Sequence, residues 1–326
     1  MKSVALKLLM LIAPLALCAA QQAGAQSGAA YPTKSIKLII PFAPGGGSDF
    51  FGRVMATKLS ARLGQPVVVE NHGGAGGSVG AELAAKAPPD GYTILLVSNS
   101  FSVSAAVSKP SYDPIGDFVP IIRLVDTSMV VGAHPSVPAK DLKGLVAYAT
   151  ANPGKLSFGS SGLGGIAHLA TEDFLVATGT KMVHIPYKGT GPANTALLAG
   201  EIQINIGDTG AVAELVRAGK VKALAIGGKA RSKLLPSVPT SAESGYPDMK
   251  LDIWYGLLAP RGTPKAIIDR LNTELNVVLK MSDIVEAYQG RFGTPAGGSS
   301  AEFGGNVKHD LDLWKRFIAR TGLKVN

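Results

Sequence analysis

From residue 36 onward, short continuous apolar runs alternate with segments whose apolar residues recur every three or four positions. Ile36–Phe42 (IKLIIPF) is apolar and β-branched, the pattern of a buried strand. Over Asp49–Leu63, the residues Phe51, Met55, Leu59 and Leu63 recur at four-residue spacing before Gly64, which predicts a helix with one buried face and a glycine stop. Pro66–Glu70 reads as a second strand, Gly76–Ala87 as a short helix stopped by Pro88-Pro89, and Tyr92–Ser98 as a third buried strand after the Asp90-Gly91 turn. Strands alternating with helices predict a parallel sheet with right-handed crossovers. Phe118–Ala133 exceeds the usual strand length and reads as one strand crossing between two lobes. Lys140–Asn152 then predicts a helix that opens a second α/β set. Its strands are Leu156–Gly159, Met182–Pro186, Ile202–Ile206 and Val221–Ile226; its helices are Ile166–Thr178, Ala193–Ala199 and Ala211–Ala218. Leu251–Ala259 resembles a second crossing. Three helical segments fill Thr263–Leu323, the first opened by Thr263-Pro264 as cap and first helical residue. The expected class is α/β with two lobes: residues 31–130 and 255–326 form a discontinuous first lobe, and residues 131–254 form the second.

Two stretches, one in each expected lobe, run from a strand through a glycine-rich turn into a helix. They are IKLIIPFAPGGGSDFFGR (Ile36–Arg53) and KLSFGSSGLGGIAHL (Lys155–Leu169). Each presents unpaired backbone N–H groups at a helix N-terminus, an arrangement that binds anions. In the first, Phe42, Pro44, Gly45, Gly46, Gly47, Ser48 and Asp49 are candidate ligand-binding residues, with Asp49 read as a helix cap or a brace for the loop. In the second, the candidates are Ser160, Ser161, Gly162, Gly164 and Gly165, and no acidic residue precedes Ile166 to cap the helix. Ser98 and Asn99 end a buried strand, and Tyr187 and Asp208 end second-lobe strands, so all four reach the carboxyl ends of strands, where open α/β sheets bind ligands. Asp208 either accepts from a ligand donor or caps the following helix. Phe42, Phe50 and Phe51 either favour an aromatic or longer-chain ligand or belong to the core.

Composition narrows the setting. The N-terminus, MKSVALKLLMLIAPLALCAAQQAGAQ, has a basic start, an apolar run from Leu8 to Leu17 and an Ala23-Gly24-Ala25 cleavage signal, so residues 1–25 read as a secretory signal peptide. The apolar run is too short to span a bilayer. Bulky Leu17 before Cys18 argues against a lipid anchor, and the chain's one cysteine then leaves with the leader. An exported chain without disulfides needs a large core, which some 300 residues supply as two domains. The formal charge of +9 falls by the leader's Lys2 and Lys7. The remaining basic residues are scattered and only 6% of residues are aromatic, which argues against nucleic acid as a partner.

The residues also resemble a known family. YPTKSIKLIIPFAPGGGSD (31–49), VVVENHGGAGGSVGAELAAKAPPDGYTILLVSNS (67–100), HPSVPAKDLKGLVAYATANPGKLSFGSSGLGGIAHLATEDF (134–174), HIPYKGTGPANTALLAGEIQI (184–204) and WYGLLAPRGTP (254–264) are similar, in order, to Bug-type receptors. These are the periplasmic solute-binding proteins of tripartite tricarboxylate transporters. The resemblance implies a type II periplasmic-binding-protein fold and a small carboxylate held between the lobes. It also implies transient delivery to membrane permease subunits, action as a monomer in the periplasm, and no cofactor. His72-Gly73 stands where the family more often has Arg-Pro, and Gly165 where Ser or Thr is common.

Other chemistry finds little support. The PGGGSD turn lacks the Lys-Ser/Thr pair of a nucleotide-triphosphate loop. The five histidines show neither HExxH nor close pairing, so no metal site is expected. No G-x-S-x-G elbow occurs. His168, in the first turn of its helix, reads as a neutral hydrogen-bonder. The expectation is a receptor and not an enzyme. The alternatives are a ligand sensor for a signalling partner, or a secreted serine hydrolase using Ser160 or Ser161 with His168.

Overall fold

The computed structural model describes residues 31–108 and 110–322, so the expected leader and its cleavage site lie outside the described residues. Strands β1 (Ile36–Ile40), β2 (Val67–Asn71) and β3 (Thr93–Ser98) are parallel, with helices α1 (Gly47–Leu63) and α2 (Ser78–Ala85) between them. In α1 the expected Phe51, Met55, Leu59 and Leu63 are buried, and Gly64 closes the helix at φ 68°, a left-handed conformation that glycine adopts without strain. A short helix α3 (Asn99–Val107) follows β3 without a break.

The sixteen-residue β4 (Phe118–Ala133) joins the two halves of the molecule. Its first part, Phe118–Ser128, pairs with β9 (Asp252–Pro260), and β10 (Thr294–Gly297) also pairs there. Its second part, Met129–Ala133, pairs with β7 (Ile204–Asp208) and β8 (Lys222–Ile226). The sheet runs β2-β1-β3-β9-β4-β7-β5-β6, where β5 is Ser157–Ser160 and β6 is Val183–Pro186. Helices α4 (Leu142–Ala151), α5 (Ile166–Thr178), α6 (Thr190–Ala199) and α7 (Thr209–Arg217) belong to the second half. Helices α8 (Lys265–Val278), α9 (Ser282–Gly290) and α10 (Ser300–Thr321) follow β9. The fold is the expected two-lobed periplasmic-binding-protein architecture.

Several expectations need correction. The sheet is mixed, because β4 and β9 run antiparallel to their neighbours. Among the described residues, strand β9 pairs only with β3 and β4; the link to the second half comes just before it, where Leu251 O accepts from Met129 N–H. Helix α6 starts at Thr190, not Ala193, and Thr263 donates its hydroxyl to Pro260 O while Pro264 takes the cap position of α8. Gly76–Ala87 divides into a 3₁₀ turn, Ala75–Gly77, and α2. Phe51 is fully buried against Tyr255 and Tyr288, and half-buried Phe50 lies under Arg291, 4.6 Å from ring centre to guanidinium. Of the three phenylalanines, only Phe42 reaches the cavity described next.

Candidate functional site

Helices α1, α3, α5, α6 and α7 each start where a strand ends, so five helix N-termini meet near the middle of the sheet. Side chains cap two of them. Ser98 Oγ accepts from Ser100 N–H, and Asp208 Oδ1 accepts from Ala211 N–H at 3.1 Å. The starts of α1 and α6, at Gly46 and Gly189, have no side-chain cap, and α5, which starts after Gly165, has its first N–H taken by Ser100 Oγ. The first N–H groups of α1 and α6 therefore carry the positive end of the helix dipole toward whatever lies in front of them.

Between these ends lies a cavity lined by Phe42, Ser48 and Ser98 from the first half and by Ser161, Thr190 and Asp208 from the second, with Tyr255 from β9. Among all its lining residues, Asp208 is the one carboxylate, and none is Lys, Arg or His. Anion binding here would depend on backbone amides, helix dipoles and hydroxyls. The cavity measures only about 20 Å³, room for roughly one water. The two halves are closed on each other, so a larger guest enters only when they part.

Direct contacts hold them closed. Ala43 N–H donates to Lys188 O at 2.8 Å, Ile166 N–H donates to Ser100 Oγ at 3.1 Å, and Ser104 Oγ lies 3.1 Å from both Gly76 O and Gly164 O. Glycine makes this approach possible. A methyl group on Gly76 would meet Leu163 O at 2.6 Å, and one on Gly162 would meet Gly76 N at 2.8 Å. Gly165, where a hydroxyl residue was noted as common, would bring a methyl within 3.4 Å of Ser161 Oγ.

The remaining candidates separate by position. Asp49 braces the first loop: its Oδ2 accepts from Gly45 N–H at 3.3 Å, and its Oδ1 accepts from Arg53 and Asn71. Pro44, Gly45 and Tyr187 line an outer groove beside Gly191 and not the inner cavity. Asn99 turns away from the cavity, donating Nδ2 to Asp252 O at 2.9 Å. Ser160 is fully buried; its hydroxyl accepts from Gly162 N–H and lies 2.7 Å from His184 Nε2. Ser100, Met129, Ile166, Ala167, Thr190, Gly207, Ile253 and Tyr255 also line the cavity but were not among the candidates. Ser100 was within reach of sequence reasoning as the third residue of the Ser98-Asn99-Ser100 strand end.

Below the second loop, His168 and His184 stack at 3.8 Å, with 10° between their planes. Gly164 N–H donates to His168 Nδ1 at 3.2 Å, which requires a neutral ring with its proton on Nε2. Burial pushes His168 down to about 4, and burial together with the neighbouring ring pushes His184 down to about 3. Both values lie below the ordinary histidine value of about 6.5, so the unfolded chain takes up protons first as pH falls. The pair's stabilisation is complete above about pH 6.5 and is lost as pH falls toward these folded values. Asp208 works in the opposite sense, since burial pushes its carboxyl up to about 6, and burial also raises Glu172, Asp173 and Asp310. With the histidines stand the carboxyls held low by hydrogen bonds and ion pairs, among them Asp113, Glu243, Asp283 and Glu302. We expect the thermal unfolding midpoint to fall steadily from pH 7 to pH 4, and His184→Phe to flatten that decline. A wild-type midpoint that holds or rises over this range would contradict the assignment.

Comparison with known proteins places the chain. The family model described as tripartite tricarboxylate transporter family receptor matches residues 51–323. Protein BugT of Bordetella pertussis is 39% identical over 298 residues, covering 90% of this chain and 91% of that protein. A solved structure described as a periplasmic transporter superposes with a TM-score of 0.89 at 40% identity, covering 91% of this chain and all of the other. The R. palustris protein Rpa4515, solved with adipate, superposes with a TM-score of 0.86 at 31% identity, covering 90% of this chain and 99% of its own.

Proposed function

We propose how this chain, which belongs to the tripartite tricarboxylate transporter receptor family, uses its cleft: it captures a small carboxylate between its lobes and hands it to a membrane permease. The observation that carries this reading is the meeting of the uncapped N-termini of α1 and α6, one from each lobe, at a cavity without a basic side chain. A carboxylate touching both ends ties the lobes together, so binding and closure are one equilibrium. The adipate in the R. palustris neighbour, a dicarboxylate, supports the ligand class.

In this reading the amides of Gly46–Ser48, of Ser161 and of the start of α6 receive the carboxylate, because those of Gly45, Gly162 and Gly164 already serve Asp49, Ser160 and His168. Ser98, Ser100, Thr190, Tyr255 and Asp208 set selectivity, in part through bridging water. Pro44 and Tyr187 form the outer rim, and Asn99 fixes the start of α3 against β9. Residues 31–128 and 252–322 form one lobe and residues 129–251 the other, hinged where β4 passes from Ser128 to Met129 and where Leu251 enters β9. The protein works as a monomer in the periplasm after losing residues 1–25, and the permease recognises the closed rim transiently. It does no chemistry on its ligand. Ser160 is sealed in the loop, and His168, the base a hydrolase would need, has Nδ1 turned to the Gly164 amide.

Isothermal titration calorimetry with di- and tricarboxylates, amino acids and aromatic acids tests the proposal. We expect saturable binding of at least one acid and none of the corresponding amide. A folded protein that binds no member of the panel would sink the reading.

A further inference from the structure

We infer that Asp208 makes this cleft selective for carboxylates that also carry an ammonium group, amino acids in chemical class, over bare dicarboxylates. The inference rests on the reading that the cavity is the ligand site. Asp208 is 3% exposed and lines that cavity. One oxygen is occupied, since Oδ1 caps α7 through Ala211 N–H. The other, Oδ2, is buried without a hydrogen-bond partner among the described residues. It lies across from the uncapped start of α1: a methyl on Gly47 would sit 2.4 Å from Oδ2 and 2.7 Å from Tyr255 Oη. A free acceptor and a phenol oxygen thus border the place where α1 offers its amides.

Charge decides what belongs there. A buried carboxylate with an idle oxygen is unfavourable until a donor reaches it. The nearby guanidinium of Arg291 is engaged elsewhere, donating to Gly210 O at 2.7 Å, pairing with Glu214 at 3.4 Å and covering Phe50. With Asp208 ionised, a bare dicarboxylate brings two more negative charges to a site whose positive partners are helix ends and the field of an Arg291 guanidinium that is bonded elsewhere. A ligand hydroxyl satisfies the oxygen but leaves its charge unbalanced. An ammonium does both, with its own carboxylate on the amides of α1 and α6. Burial pushes the Asp208 carboxyl up to about 6, so it remains largely ionised at pH 7.5.

Calorimetry at pH 7.5 with matched pairs tests this: aspartate against succinate, glutamate against glutarate, with malate as the hydroxyl case. We expect the ammonium member of at least one pair to bind tenfold or more tightly than its partner. Asp208→Asn keeps the helix cap, because asparagine caps as well as aspartate. It should weaken the amino acid at least tenfold more than it weakens the bare acid, so that the preference within each pair collapses. Finding no pair in which the amino acid binds more tightly than its bare or hydroxy acid would overturn the inference while leaving carboxylate capture intact, as would an unchanged preference in a folded Asp208→Asn. If the variant does not fold, the wild-type pairs still decide. Binding of no acid at all overturns carboxylate capture, and this inference with it.

Discussion

Replacing Gly191 with alanine should weaken ligand binding roughly 10- to 100-fold while leaving the protein as stable as before. Gly191 lies in the first turn of α6, and a methyl there would sit 2.3 Å from Pro44 O and 3.3 Å from Gly45 of the opposite lobe. The obstructing atoms are backbone, which cannot turn aside as a side-chain end can. Overpacking a tight contact costs about 1–3 kcal/mol, and here the closed state alone bears that cost. Within its own helix alanine is favourable, by up to about 1 kcal/mol over glycine. Melting temperature should therefore hold or rise while affinity for the best carboxylate of the panel falls, and small-angle scattering with ligand should report a more open molecule. If Gly191→Ala binds as tightly as wild type and closes to the same dimensions, lobe closure does not pass through this contact.

This contact shows where sequence reasoning reached and where it stopped. The loop before α1 was legible because a β-branched run, three glycines and a four-residue apolar spacing follow one another within one short segment. Its partner, the start of α6, was not. Gly189-Thr190-Gly191-Pro192 reads as a turn, yet proline is tolerated in a first helical turn, where its missing N–H has no partner to lose. A second uncapped N-terminus, with Thr190 on the cavity, was overlooked for that reason.

Helix α3 was missed on different grounds. Its sequence NSFSVSAAV is poor in strong helix formers, and its formation depends on packing against α10, some two hundred residues away, as in the bond from Ser102 Oγ to Val307 O. Tyr255 escaped because it sits within the apolar LDIWYGLLA and looks like core. The pairing of β3 with β9 sets it directly opposite Ser98, a register no local pattern encodes. Local signals therefore located each loop. Which loops face one another depends on strand register and lobe closure.

Phe51→Ala, the substitution with the largest expected effect on stability, separates the core reading of the aromatic pair after the first loop from the ligand reading. The Phe51 ring is fully buried, edge-on to Tyr288 at 4.9 Å and tilted against Tyr255 at 5.5 Å. Tyr288 also donates its hydroxyl to Phe51 O at 3.2 Å. Removing the ring leaves a cavity among these residues and should cost about 3–5 kcal/mol, read as a lower urea midpoint. Affinity should fall as well, because Tyr255 loses the face that holds its ring while its hydroxyl borders the cavity. Phe51→Leu, which keeps most of the volume, should recover the greater part of both losses. If Phe51 were a ligand contact, its truncation would change which acids bind and leave the urea midpoint within about 0.5 kcal/mol of wild type, as substitutions away from the core do. That result would return the residue to the cleft and reopen the case for an aromatic acid as the ligand.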